Sequence, residues 1–202
     1  MKVTLKHITP KKLIVDGIRI CWKSDENCDT INDNLGDNDL NLIRKIIKFG
    51  HTSTLEHSLI TFEVEGISRA VLQELSRHRV GVSPSVESTR YTLKKILNGE
   101  EKIGSCLVKT GIDVIDELNI KHMQELVNLI NKYNIPNDIA KYGLVEAYKV
   151  REQISFNIRS FRHFLSLRTS KKALPEIRQL AQEMFKQIPE DYHIFFEDVI
   201  NA

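Results

Sequence analysis

Residues 57–66, HSLITFEVEG, set Ile60, Phe62 and Val64 at every second position. That alternation gives an extended segment one apolar face and one polar face, which is the pattern of a half-buried strand. Gly66 ends it, and SRAVLQELSRHR (68–79) continues at helical spacing, with Ile67, Val71 and Leu75 as its stripe. A strand of this kind needs neighbours along its edges and a cover over its apolar face, so the chain must supply further strands and several helices. Residues 3–9 suit an opening strand through Val3, Leu5 and Ile8, and KVREQISFN (149–157) can extend through Val150, Ile154 and Phe156. Helical patterns cover 10–22, with Pro10 in the first turn, and then 40–49, 113–133, about 137–148, 160–168 and 174–188. A short closing helix is expected in DYHIFFEDVI (191–200), and the acidic, polar stretch 24–39 reads as a surface loop. The expected fold is α+β, a mostly helical single domain over residues 1–202 with a small antiparallel or mixed sheet.

Composition narrows the chemistry. Hydrophobic residues make up 41% of the 202, enough for one substantial core. Lysines and arginines nearly balance aspartates and glutamates, leaving a formal charge of +2. A protein living on bulk attraction to nucleic acid or membrane would be far more basic, so any anion site must be local and no nucleic acid or membrane partner is expected. Cys21, Cys28 and Cys106 are odd in number and show no CxxC or Cys/His metal spacing, which reads as reduced thiols, a cytoplasmic protein and no metal site. The N-terminus carries no apolar signal segment, and no run approaches membrane-spanning length.

Three segments stand out as chemical. GHTSTLEH (50–57) is a polar turn before the strand. RHRVGVSPSVESTRY (77–91) brings an Arg-His-Arg triplet to the last turn of a helix and then, past Pro84, runs into Ser-Thr-Arg-Tyr, in a stretch read as neither helix nor strand. Glu87 is its only carboxylate. Helix-end cations favour the dipole, but arginine forks, serine hydroxyls and loop amides together match phosphate oxygens or a flavin-like ring. NIRSFRHFLSLR (157–168) sets Arg159, Arg162 and His163 within about a turn opposite Phe161, Phe164, Leu165 and Leu167, with Arg168 at the helix end. Taken alone, that last segment is an ordinary solvated basic face, and a lone His51 an ordinary surface histidine.

Together and in this order, the three segments resemble the flavin-dependent thymidylate synthases, whose signature is Arg-His-Arg, a short spacer and Ser-x-Arg-Tyr. The spacer here, Val80 to Glu87, holds eight residues against the seven of the family pattern. The resemblance implies an α+β homotetramer with active sites shared between subunits. It implies conversion of deoxyuridine monophosphate (dUMP) to dTMP, with methylenetetrahydrofolate as carbon donor and NADPH reducing a bound FAD. By matching position, FAD would be held by His51, Ser53, Glu56, Arg77, His78, Arg79, Ser85, Asn157, Arg159, His163 and Lys172. The nucleotide would be held by Glu74, Arg77, Ser88, Thr89, Arg90, Lys141 and Arg168, and Arg168 would be catalytic. Five positions depart from the family pattern: Glu74 stands for a glutamine, Lys141 for an arginine, Lys172 for a histidine found in some members, and Ser85-Val86 for Asn-Glu.

Other readings predict different behaviour. A cysteine-dependent pyrimidine methylase would need a thiolate beside a basic cluster, and none of the three cysteines adjoins one in sequence. Ser88 as a nucleophile would need a base that the anion site already claims. A nucleic-acid binder would be strongly cationic, with salt-dependent affinity. A flavin- or nucleotide-binding protein without turnover shares the motifs and differs only in an assay.

Overall fold

The computed structural model describes residues 1–200. Its strands are β1 (Lys2–Ile8), β2 (Ile60–Ser68), β3 (Val82–Val86) and β4 (Lys149–Phe156). Its helices are α1 (Lys11–Trp22), α2 (Asp37–Lys48), α3 (Arg69–Leu75), α4 (Thr89–Leu97), α5 (Asp113–Tyr133), α6 (Asn137–Ala140), α7 (Ile158–Arg168), α8 (Pro175–Lys186) and α9 (Glu197–Ile200). The sheet is antiparallel, in the order β1-β2-β4-β3, and the α+β expectation holds. No helix among the described residues is long and apolar enough to cross a membrane.

Four local expectations are overturned. Residues 82–86 are a strand, although the Ser/Pro composition argues against one. β3 is an edge strand, and the Glu87 amide donates to the Arg151 carbonyl at 2.8 Å, so strand alternation turns the Pro84 nitrogen away from β4. A proline so placed removes no ladder bond. Helix α3 stops at Leu75 instead of running to residue 79, because Val71 and Leu75 are its last buried positions and Arg77, His78 and Arg79 offer nothing apolar to continue the stripe. The triplet therefore lies beyond the helix, and helix-dipole capping is not what holds it. The helix expected over 137–148 is only α6 and a 3-10 turn at Lys141–Gly143, since Tyr148 is drawn into an antiparallel bridge with Leu107. Finally, the polar stretch 24–39 is no bland loop. α2 begins inside it, and Asp39 is fully buried, accepting from Thr30 Oγ1 at 2.6 Å, the Asp29 amide at 3.0 Å and Arg19 Nε at 2.8 Å. Burial works against the charge, but these hydrogen bonds, with one from Cys28, hold the Asp39 carboxyl down at about 2.

The chain forms two compact units. One comprises residues 1–2, 64–77 and 85–152. Its core gathers Leu93 and Ile96 of α4, Met123 and Ile130 of α5, and Cys106, Leu107, Ala140 and Tyr148, with the Tyr148 hydroxyl donating to Thr92 Oγ1 at 3.1 Å. The other comprises 3–63, 78–84 and 153–202. There Phe156 and Phe161 lie 5.4 Å apart, Phe62 lies 5.3 Å from Phe161, and α7 packs on α8 and on the 52–57 turn. Its Arg162 is buried, donating to the Phe195 carbonyl and making two 2.7 Å bonds to Asp198. The basic face of α7 is thus split, with one cation serving the core.

Glu152, in the first unit, is 2% exposed on the inward face of β4, and neither carboxylate oxygen has a hydrogen-bond partner among the described residues. Burial raises its pKa from 4.5 to about 7. The folded chain then holds a proton that the unfolded chain releases above pH 4.5, so this group costs stability increasingly from pH 4.5 to 7 and constantly above. Glu152→Gln is expected to gain about 2–3 kcal/mol over the wild type at pH 8 and to converge with it towards pH 4.5. Urea unfolding midpoints at several pH values check this, and a pH-independent difference would contradict it.

Candidate active site

In the second unit the site is built around the start of α7. Asn157 ends β4 and caps the helix, its Oδ1 accepting from the Ser160 amide at 2.7 Å. The same residue's amide donates to the Gly81 carbonyl at 2.9 Å, and Ser160 Oγ donates to the Val80 carbonyl at 2.7 Å. Residues 80–81 are therefore stitched to the first turn of α7. Gly81 sits at φ +64°, the left-handed region that favours glycine, and a Cβ there would lie 2.6 Å from Ser160 Oγ and closer still to the Asn157 amide group.

The 52–57 turn reaches the same helix end. Ser58 Oγ accepts from the Ile158 amide at 3.0 Å and donates to the Leu55 carbonyl at 2.6 Å. Glu56 is ion-paired with Arg159. His51 precedes the turn on the surface, its ring 6.1 Å from that of Phe49 and 6.4 Å from that of Trp22. Ser53 is exposed on the turn, while Thr54 Oγ1 beside it is buried without a partner among the described residues. At the far end of α7, Arg168 Nε donates to His78 Nε2 at 3.0 Å. The His78 ring stands edge-on to Phe164 at 5.2 Å and lies 6.2 Å from His163. Arg79 is exposed. Lys172 borders a cavity of about 950 Å³ with Leu165, Phe185 and Lys186.

In the first unit the other predicted residues gather about α4. Ser88 is its N-cap residue and Thr89 its first residue, so the unpaired amides of that turn open where an anion is favoured. Arg90 Nη1 lies 3.2 Å from Asp138, and Asn137 Nδ2 donates to the Arg90 carbonyl at 3.1 Å. Arg90, Tyr91, Lys94, Pro136, Asn137 and Asp138 line a small cavity of about 280 Å³. α4 packs against α6 and the 141–143 turn, which carries Lys141 with its ammonium 5.6 Å from the Tyr142 ring centre. Arg77 lies 3.6 Å from Glu74, Gln73 beside it donates to Glu146 at 3.0 Å, and Ser85 is exposed on β3.

The cations are not left without countercharges, as the sequence of 77–91 suggests. Glu74 meets Arg77 and Asp138 meets Arg90, both from outside that segment, and Glu56 meets Arg159 of α7. Asp138, Asn137 and Lys94 are the residues that sequence reasoning missed; Asp138 lies in NIPND (134–138), whose pattern marks only a break between two helical stretches. The cysteines stay apart from this chemistry. Cys106 is buried in the α4–α5 core, where burial and then a hydrogen bond to Glu101 raise its thiol to about 11.

A family model described as thymidylate synthase complementing protein matches residues 4–191. The flavin-dependent thymidylate synthase of Campylobacter jejuni (strain RM1221) is 43% identical over 100% of this chain and 98% of its own length. The chain belongs to the flavin-dependent thymidylate synthase family. The family's enzyme from Helicobacter pylori (strain J99) is 38% identical over 99% of both chains. A crystal structure of thymidylate synthase X from Helicobacter pylori with FAD and dUMP superposes with a TM-score of 0.90 at 37% identity, covering 100% of both chains.

The residues fit a flavin nucleotide on their own chemistry. Exposed His51 and Ser53 with the orphaned buried Thr54 hydroxyl, by the turn at the start of α7, and half-buried His78 with exposed Arg79, on the segment that reaches its far end, are donors suited to ring carbonyls and a diphosphate. Gly81→Ala is expected to cost about 1–3 kcal/mol locally and to weaken FAD uptake at least about tenfold. Thermal unfolding and a fluorescence titration with FAD measure both, and unchanged flavin affinity would break the link between that stitch and the site.

Proposed function

We propose that this chain converts dUMP to dTMP with FAD as bound cofactor, methylenetetrahydrofolate as carbon donor and NADPH as reductant. The observation that carries the reading is the gathering of the 51–57, 78–81 and 157–168 segments at the two ends of α7 in one unit, with Arg168 held against His78. The family-wide match over residues 4–191 supports treating the whole chain as one functional domain. In this reading His51, Ser53, Glu56, Arg77, His78, Arg79, Ser85, Asn157, Arg159, His163 and Lys172 hold FAD. Glu74, Arg77, Ser88, Thr89, Arg90, Lys141 and Arg168 hold the nucleotide. The working form is a cytoplasmic homotetramer whose active sites draw residues from more than one subunit, and its partners are these small molecules.

Bound flavin supplies hydride chemistry, and the protein supplies binding, orientation and charge. The Ser88–Thr89 helix start and Arg90 give the nucleotide phosphate amide and fork donors, and Lys141 adds charge without a fork. Arg90 must exchange Asp138 for phosphate, which is feasible because the pair is half-exposed and therefore weak. Carbon five of uracil becomes nucleophilic when negative charge develops at the N3/O4 edge of the ring. Arg168 stabilises that charge, since a guanidinium stays protonated and offers a planar pair of donors.

The decisive assay is NADPH-dependent dTMP formation from dUMP and methylenetetrahydrofolate, with and without FAD. Protein that stays colourless and gains no flavin spectrum on addition of FAD would end this reading. Arg168→Ala is expected to keep FAD and lose at least about 10²-fold in kcat; a wild-type rate would remove its catalytic role. Replacing Cys21, Cys28 and Cys106 together by alanine is expected to leave turnover within a few-fold of wild type, since Cys106 is buried with its thiol raised to about 11 and Cys28 is engaged with Asp39. Loss of turnover in a folded triple variant would restore a thiolate mechanism.

A further inference from the structure

We infer that His78 is a positioning residue for Arg168, acting as a neutral imidazole with its proton on Nδ1 and its Nε2 lone pair accepting from the arginine Nε. The inference rests on the catalytic reading of Arg168 for its consequence, though not for its geometry.

An arginine Nε always carries its hydrogen, so a 3.0 Å contact with His78 Nε2 requires an unprotonated nitrogen there. That requirement fixes both charge and tautomer. An imidazolium would have no lone pair to offer and would set two positive groups side by side. The bond also fixes the plane of the guanidinium from its Nε side, so the direction of its terminal nitrogens is no longer a matter of free rotation about a long side chain. Direction is what a donor aimed at developing charge must have before the reaction begins.

His78 is itself held from several sides. Its ring stands at 76° to Phe164, which is fully buried on α7 four residues before Arg168. The His163 ring lies 6.2 Å away on the same helix. Two and three residues further along the chain, Val80 and Gly81 are bonded to Ser160 and Asn157 at the beginning of that helix. The turn is pinned at one end of α7 while its histidine reaches towards the other, so α7 sets the position of acceptor and donor alike. A residue serving only to fill space would need the ring contact with Phe164; one serving only a flavin would not need its Nε2 turned onto Arg168.

The test has two arms. In wild-type holoenzyme labelled with nitrogen-15 histidine, two-dimensional NMR at neutral pH is expected to show His78 protonated on Nδ1 and bare on Nε2, the minority form among neutral histidines in water. A proton on Nε2 overturns the inference whatever Arg168 does in catalysis. In the second arm, His78→Phe keeps an aromatic edge for Phe164 and removes the acceptor, while His78→Gln returns an acceptor oxygen near the Nε2 position. His78→Phe is expected to lower kcat by about 10²-fold with the KM for dUMP changed less than about threefold, and His78→Gln to recover at least about tenfold of that loss. Wild-type kcat in His78→Phe, or no recovery in His78→Gln, overturns the inference. Should His78→Phe fail to take up flavin, the tautomer decides. A wild-type rate in Arg168→Ala would instead strike the catalytic reading and leave the His78 bond standing.

Discussion

The backbone amide of Asn157 donates to Gly81 while its side chain caps α7, so a single residue closes β4, starts the helix and holds the 80–81 turn. The other elements of that unit's site are referred to this junction. Ser58 binds the next amide along, Glu56 reaches the residue after that, and the helix then carries Phe164 and Arg168 to where His78 stands. An N-cap satisfies one otherwise unpaired amide and is worth about 1 kcal/mol. Here it has a second consequence, because the direction of α7 decides where the guanidinium at its far end arrives.

Electrostatics explains why so many cations can sit in a chain of net charge +2 without forming a general anion trap. Arg90, Arg77 and Arg159 each meet a carboxylate, and all three pairs are partly exposed. Such pairs are worth little, which suits them to being exchanged for a ligand's phosphates or ring oxygens. The pairs made by buried arginines behave otherwise. Arg162 makes two hydrogen bonds to the half-exposed Asp198, and Arg19 donates to the fully buried Asp39 at 2.8 Å, so removing either carboxylate would strand a cation in the core. Charge number alone does not separate the two kinds of arginine; burial does.

How much of this was legible in the sequence follows the same division. Period-two and helical patterns marked β1, β2, β4, α1, α5, α7 and α8, because each owes its form to a continuous apolar face. Where form depends on a partner distant in sequence, pattern failed. β3 exists because β4 offers it an edge, α3 ends where its burial ends, and Tyr148 leaves a helical register for a bridge to Leu107. The chemical segments were legible as motifs, while their countercharges were not, since Asp138 and Glu56 carry no mark of the arginines they will meet. Likewise, nothing in SFRHFLSLR distinguishes Arg162, which serves the core, from Arg168, which faces His78.

That distinction bears on why this scaffold suits arginine chemistry and not thiol chemistry. Activating a thiol requires a cation close to it in a partly open place, and Cys106 has the reverse: a dry core and a glutamate neighbour that push its thiol up to about 11. The half-buried end of α7 offers what a guanidinium needs, a neutral acceptor for Nε and a wall of buried phenylalanine behind it. A guanidinium is a donor only, so what this end of the helix must supply is an acceptor nitrogen on His78. Only an imidazole whose Nε2 is unprotonated can hold the arginine in place.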